Sequence, residues 1–262
     1  MPVDVKQLAD DLDAETRELD RLLDPLAPAD WERPTPAVGW AIRDQISHLA
    51  FFDEAATTAA IDPERFRAEL VAARAAPEGI TESVAARYRT LDADALHAWF
   101  RAARAAMIDA LIALDPSTRV PWYGPDMSVA SSLTARIMET WAHGQDVADA
   151  LGATRTPTPA LRQVAHLGVR TLPNSFLARG LDVPDVPVFV ALHAPSGETW
   201  TWGDETAADR VTGDAIAFCL VVTQRRHLDD GGLTISGPVA VHWMRIAQAF
   251  AGPPGEGRSP LP

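Results

Sequence analysis

Apolar side chains recur at helical spacing through the first two-thirds of this chain, and each such stripe has to be covered by another. Over residues 4–23, Val5, Leu8, Leu12, Leu19, Leu22 and Leu23 keep near a 3.6 period, and Asp4 stands where an N-cap belongs. Pro25, Pro28, Pro34 and Pro36 then break the chain into a loop ending at Gly39-Trp40. Ile42, Ile46, Leu49 and Phe52 mark a second helix over about 41–60, and shorter helices are expected near 63–75 and 80–90. Leu96, Trp99, Phe100, Ala103, Met107, Leu111 and Leu114 share one face of a helix over 94–114. After a loop with Pro116, Pro121, Gly124 and Pro125, Ser128 caps a helix running to Leu151, with Gly152 at its C-terminal stop. A further helix over 158–179 carries Pro173 and is expected to kink or break there. Amphipathic helices joined by short loops predict an up-and-down four-helix bundle over residues 1–180.

The pattern changes near Gly180, where GLDVPDVP reads as a linker. Beyond it, PVFVALHAP and ETWTWG read as two strands around a Pro-Ser-Gly turn. GDAIAFCLVVTQRR reads as a helix, LTISGP as a short strand and VAVHWMRIAQAF as an amphipathic helix. Residues 184–262 are thus expected to form a smaller α+β domain, its end, AGPPGEGRSPLP, a flexible tail.

Composition narrows the function classes. The 262 residues carry 23 Lys+Arg against 36 Asp+Glu, a formal net charge of −13 that repels phosphate and argues against a nucleic-acid partner. No apolar run approaches the roughly 18 residues that a membrane helix needs, and the N-terminus, MPVDVKQLADDLDAE, is acidic and amphipathic rather than a secretory leader. The expected compartment is the cytoplasm, with no membrane partner and with monomer or homodimer left open. The lone cysteine, Cys219, excludes a disulfide framework and a Cys-rich metal site. It lies in the apolar stretch AIAFCLVV, where a thiolate is disfavoured, so it reads as core packing and not as a nucleophile.

The segment RIMETWAHGQDVAD holds Glu139-x-x-x-His143, and residues four apart on a helix share a face. Two ligating groups so placed can close on one cation if a facing helix supplies another. His48, mid-helix in QISHLAFFDEA, is the best-placed candidate. A His₂Glu set suits Zn²⁺ and leaves a coordination position open, while Ni²⁺, Fe²⁺ and Mn²⁺ also accept such ligands. The same spacing also occurs as a plain helical side-chain pair. Asp44 and Asp146 lie within a turn of the two histidines and are candidates to bond their second ring nitrogens, with helix solvation as the alternative. Trp40 and Trp141 are near the triad in sequence and can wall a pocket or serve as core.

These motifs resemble the DinB-like family of metal-binding four-helix bundles, and more closely its mycothiol-dependent maleylpyruvate isomerase branch. The resemblance is carried by Thr35-Pro36 with Gly39-Trp40, by Ile42-x-Asp44-x-x-x-His48-Leu49, and by Arg136-x-x-Glu139-x-x-x-His143-x-x-Asp146. It covers about residues 5–152 and implies His48, Glu139 and His143 as the metal ligands. The C-terminal part resembles that branch's α+β domain, which is similar to sterol-carrier domains. The pattern of VTQRRH and AQAFAGPPG resembles an actinobacterial subgroup described only as metal-binding. The resemblance implies a low-molecular-weight thiol, mycothiol, as cosubstrate, activated on the metal to attack a small electrophile. In isomerisation the thiol adds, the adduct rotates and the thiol leaves; in S-transfer it stays.

A substrate anion needs cations, and the resemblance implies an arginine of the C-terminal domain, Arg225 or Arg226, in that catalytic role. A solvated helix end is the plain alternative for either. Arg136, one turn before Glu139, can support that carboxylate, meet substrate, or form a simple ion pair. His97, with Arg101 and Arg104, is expected on a solvated face. Two other functions stay open: a metal-dependent hydrolase without a thiol, and a binder of a small apolar ligand whose metal is structural.

Overall fold

The computed structural model describes residues 4–73 and 79–261. The chain divides into two compact units, Met1–Thr156 and Pro157–Pro262.

The first unit is built on α1 (Val5–Leu23), α2 (Ile42–Ile61), α5 (Ala93–Ile112) and α6 (Val129–Leu151), with the shorter α3 (Pro63–Ala73) and α4 (Ile80–Tyr88) packed against α2. The last two positions of the helix expected over 63–75 lie outside the described residues. The expected caps are present. Asp4 accepts from the amides of Lys6 and Gln7, Ser128 accepts from Ser131, and α6 ends at Gly152 with φ 62°. Leu12, Leu19, Ile42, Ile46, Leu49, Leu96, Phe100, Leu133 and Val147 are fully buried, so the stripes face one another. Each such side chain contributes roughly 1.5–3 kcal/mol on burial. The loop before α6 pairs β1 (Arg119–Val120) with β2 (Met127–Ser128), a two-residue ladder too short to show as alternation. His97 is not on a solvated face. It packs beneath Trp31 with ring centroids 5.7 Å apart and bonds Asp20 at 2.8 Å, and Arg104 beside it is buried.

The second unit comprises α7 (Leu161–Arg170), α8 (Leu172–Leu177), β3 (Val188–His193), β4 (Thr199–Trp202), β5 (Asp209–Asp214), α9 (Ala215–Val222), β6 (Thr234–Ser236) and α10 (Pro238–Ile246). The helix expected over 158–179 is broken ahead of Pro173 into α7 and α8. Both belong to this unit, so the boundary falls at Thr156 rather than at the expected 180. The cause is packing. The face of α7 formed by Leu161, Val164, Ala165 and Gly168 is buried, and α7 packs on α9. A Cβ on Gly168 would stand 2.7 Å from Val222, so glycine is what lets these helices approach.

The sheet runs β4-β3-β5-β6, with β3 parallel to β5 and the outer pairs antiparallel. The β3–β4 hairpin is the expected one. Strand β5, DRVTGD, was not expected from the sequence. Its one large apolar residue, Val211, is fully buried, but Asp209, Gly213 and Asp214 around it carry no strand signal. The expected flexible tail is instead folded back. The Gln248 amide donates to the carbonyls of Phe250, Gly252 and Pro253, and its Oε1 accepts from Gly255. Farther along, the Leu261 amide donates to Asp230. A buried glutamine must satisfy its amide, and the glycine- and proline-rich segment supplies the carbonyls.

Candidate metal centre

Helices α2 and α6 pack side by side and bring His48 together with Glu139 and His143. A ligating atom from each lies within 4.8 Å of the other two. Glu139 Oε2 is 3.1 Å from His143 Nε2 and 3.5 Å from His48 Nε2. The His48 and His143 rings lie 4.4 Å apart, and both side chains are buried, while Glu139 stays partly open.

The hydrogen bonds around His143 set its tautomer. Thr35 Oγ1 donates to the Trp40 carbonyl, so it can accept from Gln45 Nε2 at 2.8 Å. That fixes the Gln45 amide with Oε1 turned to His143 Nδ1, which must donate. The other ring nitrogen, Nε2, then faces the Glu139 carboxylate oxygen 3.1 Å away. There a proton on Nε2, or a cation in its place, joins the imidazole to the carboxylate. The protonation states suit a metal. Burial, together with the nearby His143, pushes the His48 pKa down to about 4. Burial raises that of Glu139, but hydrogen bonds with His143 and His48 outweigh it and hold the carboxyl well below its usual range. At neutral pH His48 is therefore neutral and Glu139 ionised, as metal ligands must be. The donor set thus fits a divalent ion with N/O preference.

The expected partners of the imidazoles are not the observed ones. Asp44 is spent on the start of α2, accepting from the Ala41 amide at 2.8 Å, and pairs with Arg89 at 3.1 Å. His48 Nδ1 is buried without a hydrogen-bond partner. For His143 the partner is Gln45 and not Asp146, which is itself buried. Replacing Gln45 by leucine is expected to leave the bundle folded while weakening metal affinity about 10–100-fold, as loss of an orienting partner does elsewhere. Chelator competition against the wild type checks this.

Arg136 reaches neither Glu139 nor an open surface. Its Nε donates to Asp53 Oδ1 at 2.9 Å and its Nη2 to the Leu49 carbonyl at 3.3 Å. The other Asp53 oxygen accepts from Arg104 Nε at 2.7 Å, and all three residues are buried. The signal for this network in the sequence is an acid, Asp53, inside the apolar run LAFFDEAA.

Aromatic rings flank the histidines. Trp40 lies 5.5 Å from the His48 ring and 6.1 Å from that of His143, and Phe52 lies 4.6 Å from His48. Trp141 packs under the Arg155 guanidinium instead. Arg225 and Arg226 belong to the second unit, in the turn after α9, where both backbone amides donate to the Leu220 carbonyl. The Arg225 guanidinium bonds the Thr223 carbonyl at 2.7 Å, as expected of arginine at a helix end. Arg226, but not Arg225, lines a cavity of about 310 Å³ in that unit.

A helical bundle gathering two histidines and a glutamate from two adjacent helices defines a candidate metalloprotein of the DinB-like kind. Residues 12–148 match the model of the mycothiol maleylpyruvate isomerase N-terminal domain, and the chain belongs to that family. Two proteins of Mycobacterium tuberculosis, from strains CDC 1551 / Oshkosh and ATCC 25618 / H37Rv and both described as uncharacterized, are 46% identical to it over 248 residues. The match covers 95% of this chain and 96% of theirs. Crystal structures of the mycothiol-dependent maleylpyruvate isomerase and of a histidine-to-alanine mutant of it share the fold. Each has a TM-score of 0.62 at 18–19% identity, covering 89% of this chain and 93% of theirs. Among the described residues no helix is long and apolar enough to cross a membrane.

Proposed function

We propose that this chain is a divalent-metal enzyme of the thiol-dependent isomerase or S-transferase class, with mycothiol as cosubstrate and Zn²⁺ as the first candidate ion. The observation that carries the reading is the convergence of His48, Glu139 and His143, with the tautomer of His143 fixed by Gln45. When bound, a divalent ion lowers the pKa of a coordinated thiol, making a nucleophile at neutral pH.

The residues of the chain supply the rest. His48, Glu139 and His143 would hold the ion, and Gln45 keeps one imidazole turned toward it. Among the described residues the cluster has three donors rather than the four that close a structural site, which favours an exchangeable ligand. Trp40 and Phe52 cover the histidine faces and limit water there. A borrowed thiol is needed because the chain offers no nucleophilic sulfur of its own. Cys219 is fully buried, and burial raises its thiol pKa well above the usual range. Arg226 is assigned to the substrate anion because it lines a cavity and Arg225 does not, although both guanidiniums bond backbone carbonyls, that of Arg226 at Arg225 and that of Arg225 at Thr223. The family relation to the maleylpyruvate isomerase supports the thiol.

The test is spectroscopic. In the cobalt-loaded protein, adding mycothiol is expected to produce a thiolate-to-metal charge-transfer band. A methylated, sulfur-blocked mycothiol should not. Metal without such a band, together with hydrolysis of an ester or amide in the absence of thiol, would favour the hydrolase.

A further inference from the structure

We infer that the substrate of this centre carries an aromatic or similarly flat apolar body, packed on a wall of rings that begins at the triad. The inference deepens the proposed function and rests on its metal centre, though not on the thiol. Phe52 stands one turn after His48 on α2, with the ring centroids 4.6 Å apart. Tyr123 meets Phe52 edge-on at 5.3 Å, so the wall continues from the imidazole through Phe52 to Tyr123. Tyr123 also meets Phe66 edge-on at 5.4 Å, and Trp122 stacks on Phe66 at 5.9 Å with the planes 6° apart. At the triad itself, Trp40 lies near-parallel to the His143 ring, the planes 18° apart.

Core packing alone would bury these rings. Phe52 and Phe66 are buried, but Trp40, Trp122 and Tyr123 are only half-buried. The open rings are nevertheless held. Trp40 Nε1 donates to Glu82 Oε1 at 2.9 Å, which fixes the edge of the indole. Trp122 and Tyr123 lie in the loop that joins β1 to β2, and that loop is anchored at both ends. Val120 is buried before it, and after it the Asp126 carbonyl accepts from the Arg119 guanidinium while the Asp126 carboxylate pairs with Arg67 of α3 at 3.6 Å. Rings fixed in place yet partly open have surface to give to a ligand, and ligand sites are lined mainly by such side chains. The charges nearby favour an uncharged body. The buried guanidiniums of Arg104 and Arg136 are spent on Asp53. Burial and the Glu69 carboxylate push the Tyr123 hydroxyl pKa up to about 12, so this ring presents no charge, and Glu69 opposes an anion beside it.

The test compares two hydroxamates, which chelate a divalent ion through the same group, on the full-length, cobalt-loaded protein. Benzohydroxamate carries a phenyl ring and acetohydroxamate a methyl group. The cobalt absorption spectrum reads each Kd without thiol or turnover. The wild type should bind the phenyl compound at least about tenfold more tightly. Trp40→Leu and Tyr123→Leu should each cut that ratio at least about threefold, and Trp40→Phe should keep most of it. The ratio compares two ligands on the same protein, so a change in metal affinity alone does not move it. Tyr123 lies in a loop, so its variant is expected to fold, which far-ultraviolet circular dichroism checks. A wild-type ratio near unity, a spectrum that neither hydroxamate moves, or a ratio unchanged in both leucine variants would overturn the inference. Failure of the thiol reading shows separately, as a missing charge-transfer band with mycothiol, and leaves the ratio intact. A protein that takes up no cobalt would overturn both.

Discussion

Replacing Asp53 by alanine is expected to lower the unfolding free energy by about 3–5 kcal/mol, a large share of the stability of an ordinary domain. Asp53 is fully buried between Arg104 and Arg136, with one carboxylate oxygen for each guanidinium at 2.7 and 2.9 Å. Burial already pushes the Arg104 pKa down, partly offset by Asp53. Without the carboxylate, two desolvated cations would face one another across α2, α5 and α6. The intact network is not thereby a net source of stability, because withdrawing three charges from water is costly. That gives the control. Asp53→Leu combined with Arg104→Met and Arg136→Met should recover most of the loss, whereas the single variant should not. Urea unfolding of the three proteins decides between a network that must be complete and a site that tolerates any substitution. The single variant should also bind metal more weakly, since Arg136 ties α6 to the Leu49 carbonyl, one residue from His48.

Much of the bundle was legible because burial repeats with helix period. Where Leu12, Ile46, Phe100 and Met107 fall on stripes, the structure buries them completely. The triad was legible for a related reason: four-residue spacing places Glu139 and His143 on one face whatever the tertiary packing. That His48 lies opposite them depends on how α2 packs on α6, and only the family resemblance supplied it. The hydrogen-bond partners of the histidines were not legible. A carboxylate near a histidine in sequence looks like its partner, but Asp44 was taken by the first turn of α2 and by Arg89. The partner turned out to be Gln45, three positions before His48 and reached from His143 on another helix. Polar contacts between helices follow side-chain reach and leave no period behind. The unit boundary failed in the same way. Gly180 and the prolines after it look like a linker, yet α7 and α8 lie before them and fold with the second unit. The tail misled because its glycines and prolines, which usually signal freedom, here supply unhindered carbonyls for Gln248 and Arg179.

The largest effect expected of any change at the candidate centre is the loss of the metal itself. An ion that binds only the folded state stabilises it by RT ln(1 + [M]/Kd), about 4 kcal/mol when free metal exceeds Kd a thousandfold. Wild-type protein should therefore melt well above its metal-free form, by an increment that grows with free metal. In His143→Ala or His48→Ala that increment should vanish, because two donors remain where three converged. The metal-free variants behave differently from those at Asp53. Removing His143 takes one hydrogen bond from the Glu139 carboxylate but leaves it partly open to water, with His48 Nε2 3.5 Å away. Their metal-free stability should thus change by lost packing and one hydrogen bond, about 1–2 kcal/mol. A structural role for the histidines predicts the reverse, a large metal-free loss and an unchanged metal increment. Elemental analysis of the purified proteins supplies the second readout. Equal metal content in wild type, His48→Ala and His143→Ala would remove the triad as the site, whatever the melting curves show. Glu139→Gln sharpens the argument further. It keeps the shape and a hydrogen bond to His143, so it should leave the metal-free bundle folded while abolishing the metal increment. A carboxylate with a purely structural role would leave the metal increment unchanged.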